Sequence, residues 1–353
     1  MKTAERAPKA SGAKRGVRAG PRFQSVAVIG AGVIGRSWVQ VFARAGCKVR
    51  VYDADPDRVR RALEWLQEDL AERVAEGTLS AARARTVLAR VRPAGSLEEA
   101  LAGADYVQES GPESLEAKRA LYQAIDRCAP ARTVIGSSTS AIDMTKIARG
   151  LAGARRCIVV HPVNPPHVIP AVEILGGKQT SPRVTKDVVG FMRELGQTPV
   201  LLHRYAPGFV LNRMQAALVR EAIDLVASGV CDVEAVEDSI RDGLGLRWAL
   251  MGPFGVANTN ADRGVEEYFT MYGPSYAALW RDLNVAVRLE RPLLKRIGRQ
   301  TGRLAPEPLS TQRTRRDRMV EAIRSLKSTQ RPSSGVSRQS RTASRRSRRP
   351  TRS

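Results

Sequence analysis

The sequence predicts an open, doubly wound α/β sheet followed by an all-helical domain, and three observations predict it. Short β-favouring runs alternate with helical periods from Val26 to about Tyr205. A glycine-rich turn joins the first strand to the first helix. Beyond Tyr205 the strand character stops and only helical spacing remains.

The first strand, Val26-Ala27-Val28-Ile29, runs straight into Gly30, Gly32 and Gly35, after which Trp38, Val41, Phe42 and Ala45 follow a helical period. Gly30 allows a sharp turn, Gly32 lets backbone approach a pyrophosphate, and Gly35 lets the helix pack closely on the strand. The helix then points its free N–H groups and positive dipole end at two phosphates. The guest implied is a dinucleotide, and the sheet is of the Rossmann type, mostly parallel. Residues 47–52 read as the second strand, closed by Asp53, where a carboxylate can accept hydrogen bonds from ribose hydroxyls. Asp53 would repel a 2′-phosphate and Ala54 after it is no arginine, so NAD is favoured over NADP.

Residues 57–75, with Val59, Leu63, Leu66 and Leu70 at helical spacing, and residues 80–90 form a helical hairpin insertion longer than an ordinary crossover. It is expected to project from the sheet toward the substrate side. Ser96 caps a short helix, residues 104–108 form a strand, and residues 113–128 form a helix. Residues 133–136, 157–160, 172–175 and 200–203 read as further strands.

Pro207-Gly208 breaks the chain before a helix whose one side carries Phe209, Val210, Met214, Leu218 and Ile223. Asp232 caps the next, which should end near Gly243 and Gly245. More helices are expected over 265–271, 277–287 and 315–326. The domains predicted are a basic disordered extension over 1–22, an NAD-binding domain over 23–205, a helical substrate and dimerisation domain over 206–330, and a basic disordered tail over 331–353.

The formal net charge of +23 would suggest a polyanionic partner if it were spread over the folded part. Residues 1–22 hold seven Lys/Arg against one Glu, and residues 313–353 fourteen against two acids, which leaves only +5 between them. From Arg331 onward there is no acid and almost nothing to bury, so the tail should be disordered. A weak contact with a polyanion is its functional reading, though no aromatic residue interleaves the arginines to stack on bases. The N-terminal stretch lacks the apolar core of a secretory signal, and Glu5 and its poor amphipathicity argue against a mitochondrial leader. Cys47, Cys128, Cys157 and Cys231 are scattered and without metal-ligand spacing, as expected of reduced, mostly buried thiols in a cytoplasmic protein. No apolar run reaches membrane-span length, so no membrane partner is expected.

Among the three histidines, His161 ends an apolar strand, where open α/β sheets bind ligands, and precedes Pro162-Val163-Asn164-Pro165-Pro166. His167 lies in that proline loop and His203 near the domain boundary. An imidazole suits removal of a hydroxyl proton near neutrality, and Glu173 on the next strand can orient it from its far nitrogen. Ser137-Ser138-Thr139-Ser140 delivers hydroxyls to the same edge, and Asn212 can reach back into the cleft. Each also has a structural reading: a satisfied loop histidine, an ion-paired acid, turn-capping serines and a helix-terminal amide.

Five motifs in register resemble the L-3-hydroxyacyl-CoA dehydrogenase family, most like its lambda-crystallin branch, which includes L-gulonate 3-dehydrogenase. They are Gly30 to Gly35 with Asp53, Gln108-Glu109-Ser110-Gly111-Pro112-Glu113, Ser138-Thr139-Ser140, His161-Pro162-Val163-Asn164-Pro165, and Pro207-Gly208-Phe209-Val210-Leu211-Asn212-Arg213. The resemblance spans roughly residues 23–330. It implies that Ser140, His161, Glu173 and Asn212 are the catalytic serine, His–Glu pair and asparagine, with Ser140 and Asn212 also holding substrate. It further implies that Val33, Ile34, Asp53, Glu113 and Lys118 join the glycines in binding NAD, and that Arg247 grips a substrate carboxylate. The activity implied is oxidation of the 3-hydroxyl of a small L-3-hydroxy acid such as gulonate. The alternatives are a 3-hydroxyacyl-CoA thioester as substrate, or a catalytically silent NAD-binding, crystallin-like protein. Carnitine dehydrogenases resemble the chain too, but carry an acid where it has Asn212. The apolar helices of the second domain suggest a homodimer.

Overall fold

The computed structural model describes residues 20–283 and 288–329. Apart from residues 20–22, the expected basic extension and tail lie outside the described residues. Arg22, counted with the extension in the sequence, is tied down: its guanidinium pairs with Asp187 and its backbone N–H donates to Glu194 Oε2 at 2.7 Å.

The chain forms two compact units that divide between Ser228 and Gly229. The first contains an eight-stranded sheet in the order β3-β2-β1-β4-β5-β6-β7-β8. Its strands are β1 (Ser25–Ile29), β2 (Lys48–Tyr52), β3 (Val91–Pro93), β4 (Tyr106–Glu109), β5 (Val134–Ser137), β6 (Cys157–Pro162), β7 (Ala171–Gly176) and β8 (Thr198–Leu201). All pairings are parallel except β6 with β7. β1 sits between β2 and β4, so chain order reverses there and a crevice opens at its carboxyl end.

Strand alternation divides the core between the two faces. Val26, Val28, Ile158 and Val160 point to one face, beneath α1 (Val33–Ala45), α2 (Pro56–Ala75), α3 (Ala81–Ala89) and, further along, Val188 and Phe191. Ala27, Ile29, Cys157 and Val159 point to the other, with α4 (Leu97–Leu101), α5 (Leu115–Cys128) and α6 (Met144–Ile147). The helix α7 (Pro182–Glu194) begins on a proline, which has no N–H to leave unpaired, and buries Val188, Phe191 and Met192. Asp55, Ser80, Ser96 and Ser114 cap α2, α3, α4 and α5 with side-chain oxygens, which is why those starts were readable.

The hairpin of α2 and α3 does not project. Val59, Ala62, Leu66 and Leu70, with Ala84 and Val87, belong to the same core as Trp38 and Phe42. What reaches toward the ligand edge is Trp65, whose ring meets that of His167 edge-on at 5.2 Å. β8 lies two residues earlier than expected. Pro199 inside it is tolerated because β8 is an edge strand.

α8 (Leu211–Ser228) closes the first unit, so this helix goes with the sheet although the sequence breaks before it. The second unit holds α9 (Val233–Asp238), a π-helical turn (Ser239–Leu244), α10 (Gly245–Leu250), α11 (Pro253–Thr259), α12 (Val265–Asp282), α13 (Arg291–Leu304) and α14 (Leu309–Thr329). The helix expected to stop near Gly243 runs on through the π turn, where a Cβ at Gly245 would lie 2.5 Å from the Ile240 carbonyl oxygen. The break expected between 271 and 277 is absent, since α12 carries Pro274 within it. No residue of α12 is buried, so losing one helical hydrogen bond there costs little packing. No helix among the described residues is long and apolar enough to cross a membrane.

Candidate active site

The site is assembled where the carboxyl ends of β1, β4, β5 and β6 meet the start of α8. Gly30, at φ +97°, turns the chain out of β1, and a Cβ there would lie 2.6 Å from the Ser110 carbonyl oxygen. A Cβ at Gly35 would overlap the Gly30 carbonyl, so only glycine lets α1 sit this close to the strand. Gly32 faces open space within 4 Å and caps α1 with no side chain of its own. Here the N–H groups of the first turn, including those of Val33 and Ile34, are open to an anion, as a dinucleotide pyrophosphate requires. The Asp53 carboxylate accepts from the Ala31 N–H at 2.8 Å and from the Asp55 N–H at 3.0 Å. It therefore locks the turn to β2 while each oxygen keeps a lone pair for a ribose hydroxyl.

His161 and Glu173 are direct cross-strand partners on the antiparallel β6–β7 ladder, so pairing register alone brings them together. His161 Nδ1 lies 2.8 Å from Glu173 Oε2, which leaves Nε2 for the cavity that the ring lines. Glu173 is fully buried. Its other oxygen accepts the backbone N–H groups of Val210 at 2.7 Å and Leu211 at 3.0 Å, at the beginning of α8. Burial works to raise the Glu173 pKa, but the hydrogen bonds from His161 and from the Leu211 and Val210 N–H groups outweigh it and hold the carboxyl below its ordinary value.

The Pro207–Asn212 motif owes its shape to this contact. Gly208 and Phe209 both take positive φ, at +74° and +53°. The second is uncommon for a residue with a side chain. The turn buries the Phe209 ring 5.6 Å from the imidazole and aims the next two N–H groups at Glu173. Asn212, the second residue of α8, donates from Nδ2 to the Ser140 carbonyl at a long 3.4 Å.

Glu113 organises the hydroxyl loop after β5. Its Oε1 accepts from Thr139 Oγ1 at 2.6 Å, from the Ser140 N–H at 2.8 Å and hydroxyl at 3.2 Å, and from the Ala141 N–H at 3.2 Å. Partial burial opposes the Glu113 charge, while Thr139, the Lys118 ammonium and Ser140 more than compensate, so its pKa falls. Lys118, implied by resemblance to contact NAD, is buried at 1% exposure, its ammonium 2.9 Å from Glu109 Oε1 and 3.5 Å from Glu113 Oε2. It bears on the site through Glu113.

Ile34, Glu113, Ser140, His161 and Asn212 all line one cavity of about 780 Å³, joined by residues that sequence reasoning left unassigned. Asn164 stood inside a quoted motif. Gln215 lies three positions after Asn212, hence on the same helical face, a spacing that could have found it. Ser110 and Ser138 also line it, their hydroxyls 2.9 Å apart over the buried Gln108 amide, which donates to Ser138 Oγ at 2.8 Å. His203 is exposed beyond β8, and Arg247 lies on α10 of the second unit.

Comparison with known proteins agrees with this geometry. Residues 25–205 match the model of the 3-hydroxyacyl-CoA dehydrogenase NAD binding domain, and residues 208–300 that of its C-terminal domain. The chain is 32% identical over 318 residues to lambda-crystallin of Oryctolagus cuniculus, covering 89% of this chain and 99% of that protein. It is 39% identical over 280 residues to an L-carnitine dehydrogenase of Streptomyces griseus, covering 77% of this chain and 78% of that one. Among solved structures, 5-formyl-3-hydroxy-2-methylpyridine 4-carboxylic acid 5-dehydrogenase, described as an NAD+-dependent dismutase, superposes with a TM-score of 0.72 at 28% identity, over 86% of this chain and 98% of that one. With a glycine turn built for a dinucleotide, a His–Glu pair at the cavity and both domain models matched in sequence, the chain belongs to the 3-hydroxyacyl-CoA dehydrogenase family and is an NAD-dependent oxidoreductase acting on CH–OH groups.

Proposed function

We propose that the chain oxidises the 3-hydroxyl of a small, polar L-3-hydroxy acid of the L-gulonate kind. The observation that carries this reading is the oriented His161–Glu173 pair, whose free nitrogen faces a cavity walled by amides and hydroxyls. Gly32, the first-turn N–H groups of α1, Asp53 and Glu113 would hold NAD, whose nicotinamide, when bound, accepts the hydride. His161 Nε2 removes the hydroxyl proton, and Glu173, ionised and anchored to α8, stabilises the imidazolium that results. Asn212 Nδ2 donates to the substrate oxygen as it becomes a carbonyl, and the Ser140 hydroxyl, which donates to Glu113 Oε1 at 3.2 Å, turns its one proton to the same oxygen. The His–Glu pair is held in place before substrate arrives.

The lining supports the substrate class. Asn164, Asn212, Gln215, Ser110, Ser138 and Ser140 can each donate and accept, which suits a hydroxylated chain. Among the described residues lining the cavity there is no lysine or arginine for the phosphates of coenzyme A and no Phe, Tyr or Trp ring for the trimethylammonium of carnitine. Arg247 remains in the proposal on its chemistry alone, as a guanidinium able to hold a carboxylate by two parallel bonds. The second reading, a 3-hydroxyacyl-CoA substrate, rests on the family to which the chain belongs.

NADH absorbance on L-gulonate, L-3-hydroxybutyrate, 3-hydroxybutyryl-CoA and L-carnitine separates the readings. L-Gulonate should lead in kcat/KM by about tenfold or more, the worth of one or two satisfied polar contacts. A lead for the CoA thioester or carnitine overturns the substrate class, and NAD binding without turnover on any of the four returns the silent, crystallin-like reading.

A further inference from the structure

Helix α13 departs from the way this chain manages charge elsewhere. On α2, Arg60 pairs with Glu64 and Arg73 with Asp69, each four residues apart and of opposite sign. α13 carries Arg291, Lys295, Arg296, Arg299 and Arg303 and not one acid in its 14 residues. Four of these, Arg291, Lys295, Arg299 and Arg303, recur every fourth residue, so they form a ridge along one side. All four are exposed, and none makes an ion pair or side-chain hydrogen bond with a described residue.

An ordinary solvated face mixes signs. Here three successive pairs at i, i+4 are alike and repel, each by a few tenths of a kcal/mol. Arg291, in the first turn, also sits at the dipole end that disfavours cations. A linear polyanion would relieve that repulsion, which water alone only screens.

We propose that α13 is a docking ridge for the phosphate backbone of a duplex nucleic acid. Twelve residues of helix rise about 18 Å, and one duplex strand sets a phosphate every 3.4 Å along its axis, so four cations face about five phosphates. The opposite side of α13 is engaged by α9: Gln300 Oε1 accepts the Val233 N–H at 3.1 Å, while Leu293 and Ile297 are partly buried. That leaves charge rather than an apolar stripe facing outward, and a lipid surface normally requires both. Trp280 is the last Phe, Tyr or Trp in the sequence, so no aromatic ring beyond it can stack on unpaired bases or sit at a membrane interface. A duplex read through its backbone needs neither.

The test is fluorescence anisotropy of the full chain with a labelled 20-base-pair duplex of arbitrary sequence, titrated between 50 and 200 mM salt. The wild type should bind. The variant R291Q/K295Q/R299Q/R303Q, with its NADH-forming activity intact, should bind at least about 100-fold more weakly at 0.1 M salt, with a log–log salt slope shallower by about 3 to 4. Should that variant not fold, amine acetylation of the wild type reads the same contact, since the duplex should shield Lys295 from modification. The proposal is overturned if the wild type does not bind, if the variant binds within twofold of it, or if Lys295 labels equally with and without duplex. Binding that moves to the eight arginines from Arg331 onward would show as an unchanged variant, and capture by phosphatidylserine vesicles that duplex cannot displace would assign the ridge to a membrane.

Discussion

Glu173 shows how one buried charge is made affordable. A carboxylate with no solvent contact survives only if its lone pairs are filled, and here an imidazole and two backbone N–H groups fill them. Its folded pKa is depressed, so its stabilising contribution is complete above the ordinary value of 4.5 and is lost as pH falls through the lower folded value. Urea unfolding of wild type and E173Q from pH 7 to pH 3 should therefore show a gap that is constant down to about pH 5 and then closes. A gap that stays constant to pH 3 contradicts the depressed pKa. At this scale the sequence was legible where chemistry and position coincided. His161 and Glu173 stand out as an imidazole and an acid on neighbouring strands. Lys118 was not legible, because nothing in a helix's spacing says that a lysine turns inward to meet Glu109.

At the scale of elements, the β1–α1 junction separates two jobs that glycine performs. Gly35 is required by packing, since its missing Cβ is where the Gly30 carbonyl sits, whereas Gly32 is required only by what must approach it. G35A should lose about 1–3 kcal/mol of stability through overpacking, along with NAD affinity. G32A should unfold within about 1 kcal/mol of wild type yet bind NAD at least tenfold more weakly. Calorimetry and NAD titration on the pair check this, and equal destabilisation of both would refute the division. The strands and capped helices were legible because period and cap chemistry are local. The hairpin's docking was not, since an apolar stripe at helical spacing does not say which surface receives it. Three-residue β3 and four-residue α6 were too short to carry a period at all.

For the whole molecule, charge and apolar surface are unevenly placed. The body that looked nearly neutral in total hides a wholly cationic helix, because a net charge averages over segments. In the second unit, Leu246, Leu250, Phe254 and Trp280 are each at least 60% exposed, and few side chains among its described residues are buried. We propose that a second copy of the chain covers them, since a helical unit normally buries such residues. Light scattering should return twice the chain mass of 38.5 kDa, and a monomer mass would refute the dimer.

The most direct measurement is NADH formation by H161Q beside wild type, on the best substrate of the four and at saturating NAD. With His161 as the base, kcat should fall by about 10²–10⁴ while the dissociation constant for NAD stays within twofold. Turnover close to wild type, or loss of NAD binding in step with activity, would contradict that role.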